Sequence, residues 1–156
     1  MRIASKANGC SAMANAGRDQ KHLAVDSNVL VAYLDKDHPQ HGNAKSLARR
    51  RVALNPNVLH ESYHTLVFKM KWDRDEASKT LLEILDDAEV LFLNQTKETT
   101  RIGLRFAEHY AIGGRDALIL ASFLSPSVVE FRTFDKELIR LGKVERGRRK
   151  LNVRAA

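Results

Sequence analysis

The chain has 156 residues, 44% of them hydrophobic, 29% charged and 6% aromatic. That is enough apolar material for one domain with a real core, and it is incompatible with disorder throughout. The single cysteine, Cys10, rules out a disulfide scaffold, and no stretch approaches the ~20 apolar residues of a membrane span, so a soluble protein of a reducing, cytoplasmic compartment is expected.

The formal charge of +7 is carried by the two ends. Residues 1–22 hold four bases against one acid, and 136–156 hold eight against two, whereas 23–135 holds 14 against 16. A basic run such as Arg146, Arg148, Arg149 and Lys150 either suits a phosphate backbone or is a solvated tail. Residues 1–21 show no period, and no apolar segment follows their basic start. They read as a flexible basic extension rather than a secretory signal, with Met13 as an alternative start. Residues 22–156 read as a single domain.

His22–Asp26 is a short apolar run ending in an acid, the pattern of a buried strand. Ser27 and Asn28 open a helix that continues through Val29–Leu34, and Gly42–Arg51 reads as a second helix with a basic face. Val52–Leu54 is a minimal strand, Asn55–Asn57 a turn and cap, and Val58 to about Lys71 a helix. Asp73 and Glu76 have the spacing of a capping box, and Ala77, Leu81, Leu85 and Ala88 repeat with helical period. Val90–Leu93 is a third strand and Lys97–Tyr110 a helix, broken by Gly113 and Gly114. Asp116–Leu124 is apolar nearly all round, hence a buried helix, and Pro126 ends it. Val128–Thr133 is the fourth strand, Asp135 opens a last helical turn to Leu141, and Leu151–Val153 is a short fifth strand. Short strands alternating with helices predict an α/β fold: a three-layer sandwich with a central parallel sheet of four to five strands flanked by helices.

In such sheets the site lies at the carboxyl ends of the strands. That rule selects Asp26, Glu61, Asp116 and Asp135, four acids from separate segments that should meet at one edge. Glu61 lies opposite the apolar stripe Leu59, Tyr63, Leu66 and Met70, beside His64 and Thr65, so it is free to face a cleft. Each aspartate also sits at a helix start, where an acid caps backbone N–H groups. Four crowded carboxylates would repel one another, and a divalent cation resolves that conflict. All-oxygen ligands favour Mg2+ or Mn2+ over zinc.

The motifs Val25-Asp26-Ser27-Asn28-Val29-Leu30, Val58-Leu59-His60-Glu61, Asp116-Ala117-Leu118-Ile119-Leu120-Ala121 and Thr133-Phe134-Asp135-Lys136-Glu137-Leu138 occur in that order. With them the chain resembles a PIN-domain ribonuclease, and most of all a VapC-type toxin of a toxin–antitoxin pair, across about residues 23–141. The resemblance implies a metal-dependent endoribonuclease, with Asp26, Glu61, Asp116 and Asp135 at the metal and Asn28 and Thr133 supporting them. It also implies an antitoxin that blocks the site, expected to insert a basic residue among the acids, and a symmetric homodimer. The basic amino-terminal extension is not part of the family pattern. Tyr33 and Phe68 are candidates for the antitoxin groove, or else core. Arg49, Arg50, Arg51, Arg115, Arg148 and Arg149 are candidates for RNA binding, with Arg115 placed to touch a phosphate beside Asp116. Scarce aromatics do not indicate a base-stacking platform.

Residues 60–64, His-Glu-Ser-Tyr-His, also fit H-E-x-x-H. A zinc metalloprotease would use His60 and His64 as ligands and Glu61 as base, with Glu83 or Glu89 as third ligand. Val67 and Met70 stand where the extended motif needs Gly and His, and this reading leaves three aspartates unexplained. Two further alternatives are an RNA-processing relative that is not a toxin, and a non-catalytic RNA-binding module whose acids only cap helices.

Overall fold

A computed structural model describes residues 21–156; the expected extension, apart from Lys21, lies outside the described residues. The elements in chain order are β1 (His22–Val25), α1 (Ser27–Leu34), α2 (His41–Leu47), β2 (Val52–Leu54), α3 (Pro56–His64), α4 (Arg74–Leu85), β3 (Leu91–Phe92), α5 (Lys97–Tyr110), α6 (Gly114–Ser122), β4 (Val128–Thr133), α7 (Lys136–Leu141), β5 (Lys143–Arg146) and β6 (Arg149–Ala155). Leu23–Val25 and Val52–Leu54 are buried on both faces, as continuous apolar runs in central parallel strands must be.

The strands form one sheet in the order β3-β2-β1-β4-β6-β5, parallel except for β5, which pairs antiparallel with β6. From β1 the chain steps outward through β2 to β3, then returns to β4 on the other side. Right-handed crossovers therefore put α1–α4 on one face and α5–α7 on the other. Helix contacts follow that division: α1 packs on α2 and α3, α3 on α4, and α5 on α6. Gly103 allows the last of these, since a Cβ there would stand 3.0 Å from Leu118 Cα. The buried core is continuous from Leu23 and Val29 through Leu66, Leu120, Phe123 and Phe131 to Val153.

Three differences from the sequence expectation have physical causes. The second helix stops at Leu47 rather than Arg51, because the Arg51 carbonyl accepts the Leu23 N–H and belongs to the sheet. The helix after β2 widens into a π turn at Thr65–Lys69, where the Met70 N–H reaches the Thr65 carbonyl. It then ends at Lys71, whose φ of 62° is left-handed, with the Trp72 N–H bonded to the Leu66 carbonyl. The largest difference is at the carboxyl end. The basic segment read as a tail is the hairpin β5–β6, turning at Gly147 and Arg148, so the sheet has six strands and one antiparallel edge. Val144, Leu151 and Val153 point into the core while the charged residues between them face out, an arrangement that edge strands tolerate.

Candidate active site

β1 and β4 are neighbours whose onward connections leave in opposite directions. The cleft beyond their carboxyl ends is the topological switch point of the sheet. Asp26 stands there as the residue after β1, with its N–H on the Arg132 carbonyl of β4. It caps α1: Oδ1 accepts the Ser27 N–H at 2.7 Å. Its Oδ2 accepts the Thr133 hydroxyl at 2.7 Å and the Asn28 side-chain amide at 3.2 Å. Asn28 also donates to Thr133 Oγ1 (3.1 Å) and accepts the Phe134 N–H (3.1 Å), and Thr133 Oγ1 accepts the Asp135 N–H (2.9 Å). One network thus fixes the end of β1, the start of α1 and the turn after β4.

Asp135 caps α7, accepting from the Glu137 and Leu138 N–H groups. Asp116 does not cap. Helix α6 begins at Gly114 with Gly113 as its cap, two residues earlier than expected, so Asp116 lies inside the first turn. A Cβ at Gly113 would stand 3.3 Å from Asp116 Oδ2, so the glycine leaves room beside that carboxylate. The capping reading therefore accounts for Asp26 and Asp135 but not for Asp116. Glu61, from α3 on the other face, reaches the same cleft and pairs with Arg115 of α6 at 3.2 Å.

Together Asp26, Asn28, Glu61, Arg115, Asp116 and Asp135 line a cleft of about 390 Å3. Burial pushes Asp26 up to about 6, against the bonds from Thr133 and Ser27, with Glu61 and Asp116 adding repulsion. Burial also raises Asp116; Arg115 opposes this, and Asp135, Glu61 and Glu137 reinforce it. Among the described residues no group of three or more His, Cys, Asp or Glu side chains stands close enough together to hold a metal ion. By chemistry rather than by present placement, the four acids are ligands of the type a hard divalent cation takes. They offer only oxygen, they repel one another, and magnesium characteristically takes one or two carboxylates and keeps several waters.

The cleft also contains residues not selected from sequence. Thr65 and Lys69 follow Glu61 at i+4 and i+8, a spacing visible in the sequence, and His38 and Gln40 come from the loop before α2. Met70 lines it too, although the helical period sets it on the opposite stripe; the π turn shifts its phase. The other arginines are elsewhere. Arg51 precedes β2, and Arg148 and Arg149 lie at the β5–β6 turn, all at the amino edge of the sheet. With ~3.3 Å per residue, Arg149 is about 20 Å from Ala155, which pairs with Thr133 beside the acids. Tyr33 is half-buried on the core, whereas Phe68 is 49% exposed.

The motif His60-Glu61-x-x-His64 does not converge. His60 is exposed and borders an apolar groove between α3 and α4, and His64 stacks on Phe68 with ring centroids 4.9 Å apart. Glu61 faces the acid cleft, and no third ligand joins the two histidines among the described residues.

The PIN domain family matches residues 23–144, a span that contains every one of these acids. The chain belongs to the PIN domain family. No curated protein matches the chain significantly. Solved structures give the fold. VapC20 of Mycobacterium tuberculosis, described as a Sarcin-Ricin loop cleaving toxin, aligns with a TM-score of 0.67 at 19% identity, covering 80% of this chain and 98% of that one. VapBC2 of Rickettsia felis, bound to a DNA fragment from its promoter, aligns at 0.57 and 18% identity over 86% of this chain and 98% of that one. A toxin–antitoxin complex from Klebsiella pneumoniae aligns at 0.57 and 16% identity over 74% and 89%. No helix among the described residues of this PIN domain is long and apolar enough to cross a membrane.

Proposed function

We propose that this PIN domain is a metal-dependent endoribonuclease and the toxin of a toxin–antitoxin pair. The observation that carries the reading is the buried carboxylate of Asp26, held beside Glu61, Asp116 and Asp135 at the switch point, where burial and like charge work against its ionisation. A fold held only for its own stability has no need of such a group. Proteins of this fold described as a cleaving toxin and as a toxin–antitoxin complex support the same reading.

Asp26 and Asp116 would hold Mg2+ or Mn2+, with Glu61 and Asp135 binding directly or through water. A cation held by these residues would supply acidification of a water for attack on the scissile phosphodiester and charge stabilisation at the departing 3′ oxygen, which would leave a 5′-phosphate. Thr133 and Asn28 orient Asp26 by donating to its Oδ2. The Arg115 guanidinium neutralises Glu61 at the mouth and stands where a phosphate would enter. An antitoxin arginine entering the cleft would make the same type of charge-assisted bond and occlude the acids. The functional unit is a symmetric homodimer.

The test is cleavage of RNA by the purified protein with Mg2+ or Mn2+. Asp26→Ala and Asp116→Ala should each lower the rate by at least about 1,000-fold with unchanged circular dichroism, the scale expected when a metal ligand is lost. Cleavage retained in both variants, with contaminating nuclease excluded, overturns the mechanism. A requirement for zinc would favour the protease, and RNA binding without cleavage under any metal would favour the binding module. Growth arrest on expression, relieved by a small protein encoded beside the gene, distinguishes a toxin from an RNA-processing relative.

A further inference from the structure

The arginines that the sequence offered for RNA binding, other than Arg115, lie away from the cleft, and the sheet gathers them. Strand register aligns Val52 with Leu23, Leu23 with Glu130 and Glu130 with Asn152. Arg49–Arg51 therefore precede this row on one side, and Arg148–Lys150 precede it on the other, at the same amino edge. β2 and β6 are three strand spacings apart, about 14 Å. The two basic segments thus flank the starts of β1 and β4, although about 100 residues separate them in the chain.

All six side chains are exposed. Among the described residues, Arg49, Arg51, Arg148, Arg149 and Lys150 make no ion pair. By contrast Arg115, Arg132, Lys143 and Arg146 are each matched by a glutamate. The adjacent acids Glu145 and Glu98 are already taken by Lys143 and Arg146. Asp86, Asp87 and Glu89, before β3, bound the surface on its far side.

We propose that this amino edge is a second contact surface for the RNA backbone, so that the substrate is held by sequence flanking the cut. The inference rests on the ribonuclease reading. Without a cation the cleft sets four carboxylates against Lys69 and Arg115, a net negative charge that disfavours phosphate, so cationic side chains elsewhere on the molecule would add binding energy. Five of the six side chains are arginines, whose forked donors match phosphate oxygens. Among the described residues the edge offers no exposed large apolar side chain of the kind that anchors a protein partner. Asp26 is four residues beyond His22 on β1, about 13 Å, so an RNA longer than the cleft reaches both surfaces.

Fluorescence anisotropy of full-length protein in EDTA with a labelled RNA hairpin measures binding apart from chemistry. Arg49→Glu/Arg51→Glu and Arg148→Glu/Arg149→Glu should each weaken hairpin binding about tenfold and lower the slope of log affinity against log salt by about 1.5. Arg→Gln pairs guard against misfolding and should show the same direction at smaller size. Cleavage of an oligonucleotide of about four nucleotides, too short to leave the cleft, should be unchanged by all of them. Unchanged hairpin affinity and salt slope in the variants overturn the proposal even if cleavage of the short substrate proceeds. Variants that bind the hairpin normally but lose an acidic antitoxin reassign the edge to protein and also overturn it. If no RNA is cleaved with any metal, yet the variants still lose hairpin binding, the ribonuclease reading fails and the surface stands.

Discussion

The two edges of one sheet carry opposite charge in different ways. At the carboxyl edge, Asp26 is 7% exposed and fully engaged in hydrogen bonds, yet burial and its neighbours make its charge expensive. At the amino edge, the arginines are solvated, and their placement costs the fold little. A solvated charge is compatible with many roles. A buried carboxylate facing other carboxylates is a standing cost that needs a reason. That asymmetry makes the acid cleft the stronger sign of chemistry and leaves the basic edge as a matter of affinity.

The comparison is tested most severely by the cost itself. Folded Asp26 keeps its proton to about pH 6, whereas in the unfolded chain it loses it near 3.8. Between these values the folded state binds more protons, so stability present below about pH 4 is lost as pH rises through 6. In metal-free protein this contribution has a ceiling of about 3 kcal/mol. Urea denaturation in EDTA from pH 4 to 7.5, wild type against Asp26→Ala, isolates it. Parallel curves would show that the carboxylate carries no such cost.

A smaller effect is expected from the hydroxyl that orients Asp26. Thr133→Val removes the donor to Oδ2 and the acceptor for the Asp135 N–H. It should lower Mn2+ affinity and RNA cleavage by about 10–100-fold, whereas Thr133→Ser should stay within about threefold. Equal losses in both variants would indicate a packing role for the methyl group instead. Smallest of all, His60→Ala and His64→Ala should each change cleavage less than about twofold, because neither side chain lines the cleft. A joint loss of activity with release of bound zinc would restore the H-E-x-x-H reading.

Much of the carboxyl edge was legible in the chain. An apolar run closed by an acid and followed by a helical turn fixes Asp26 after β1, and Thr133-Phe134-Asp135 repeats that logic after β4. Local pattern determined these junctions because strand burial and helix capping are set by neighbouring residues. It did not reveal that Asp116 leaves the cap position to Gly113, since a glycine pair reads only as a break. Nor did it show the π turn, where one wider turn moves Met70 into the cleft without altering the apolar pattern.

The sequence by itself determined an alternating α/β chain, its four acids and a surplus of base at its ends. Tertiary structure decided which side chains share a surface. Pairing of β6 with both β4 and β5 turned an apparent tail into an edge hairpin, and parallel register set Arg148 and Arg149 on the same side as Arg51, opposite Asp26. Strand order and the antiparallel pairing of β5 come from long-range contacts, which no local pattern of residues encodes.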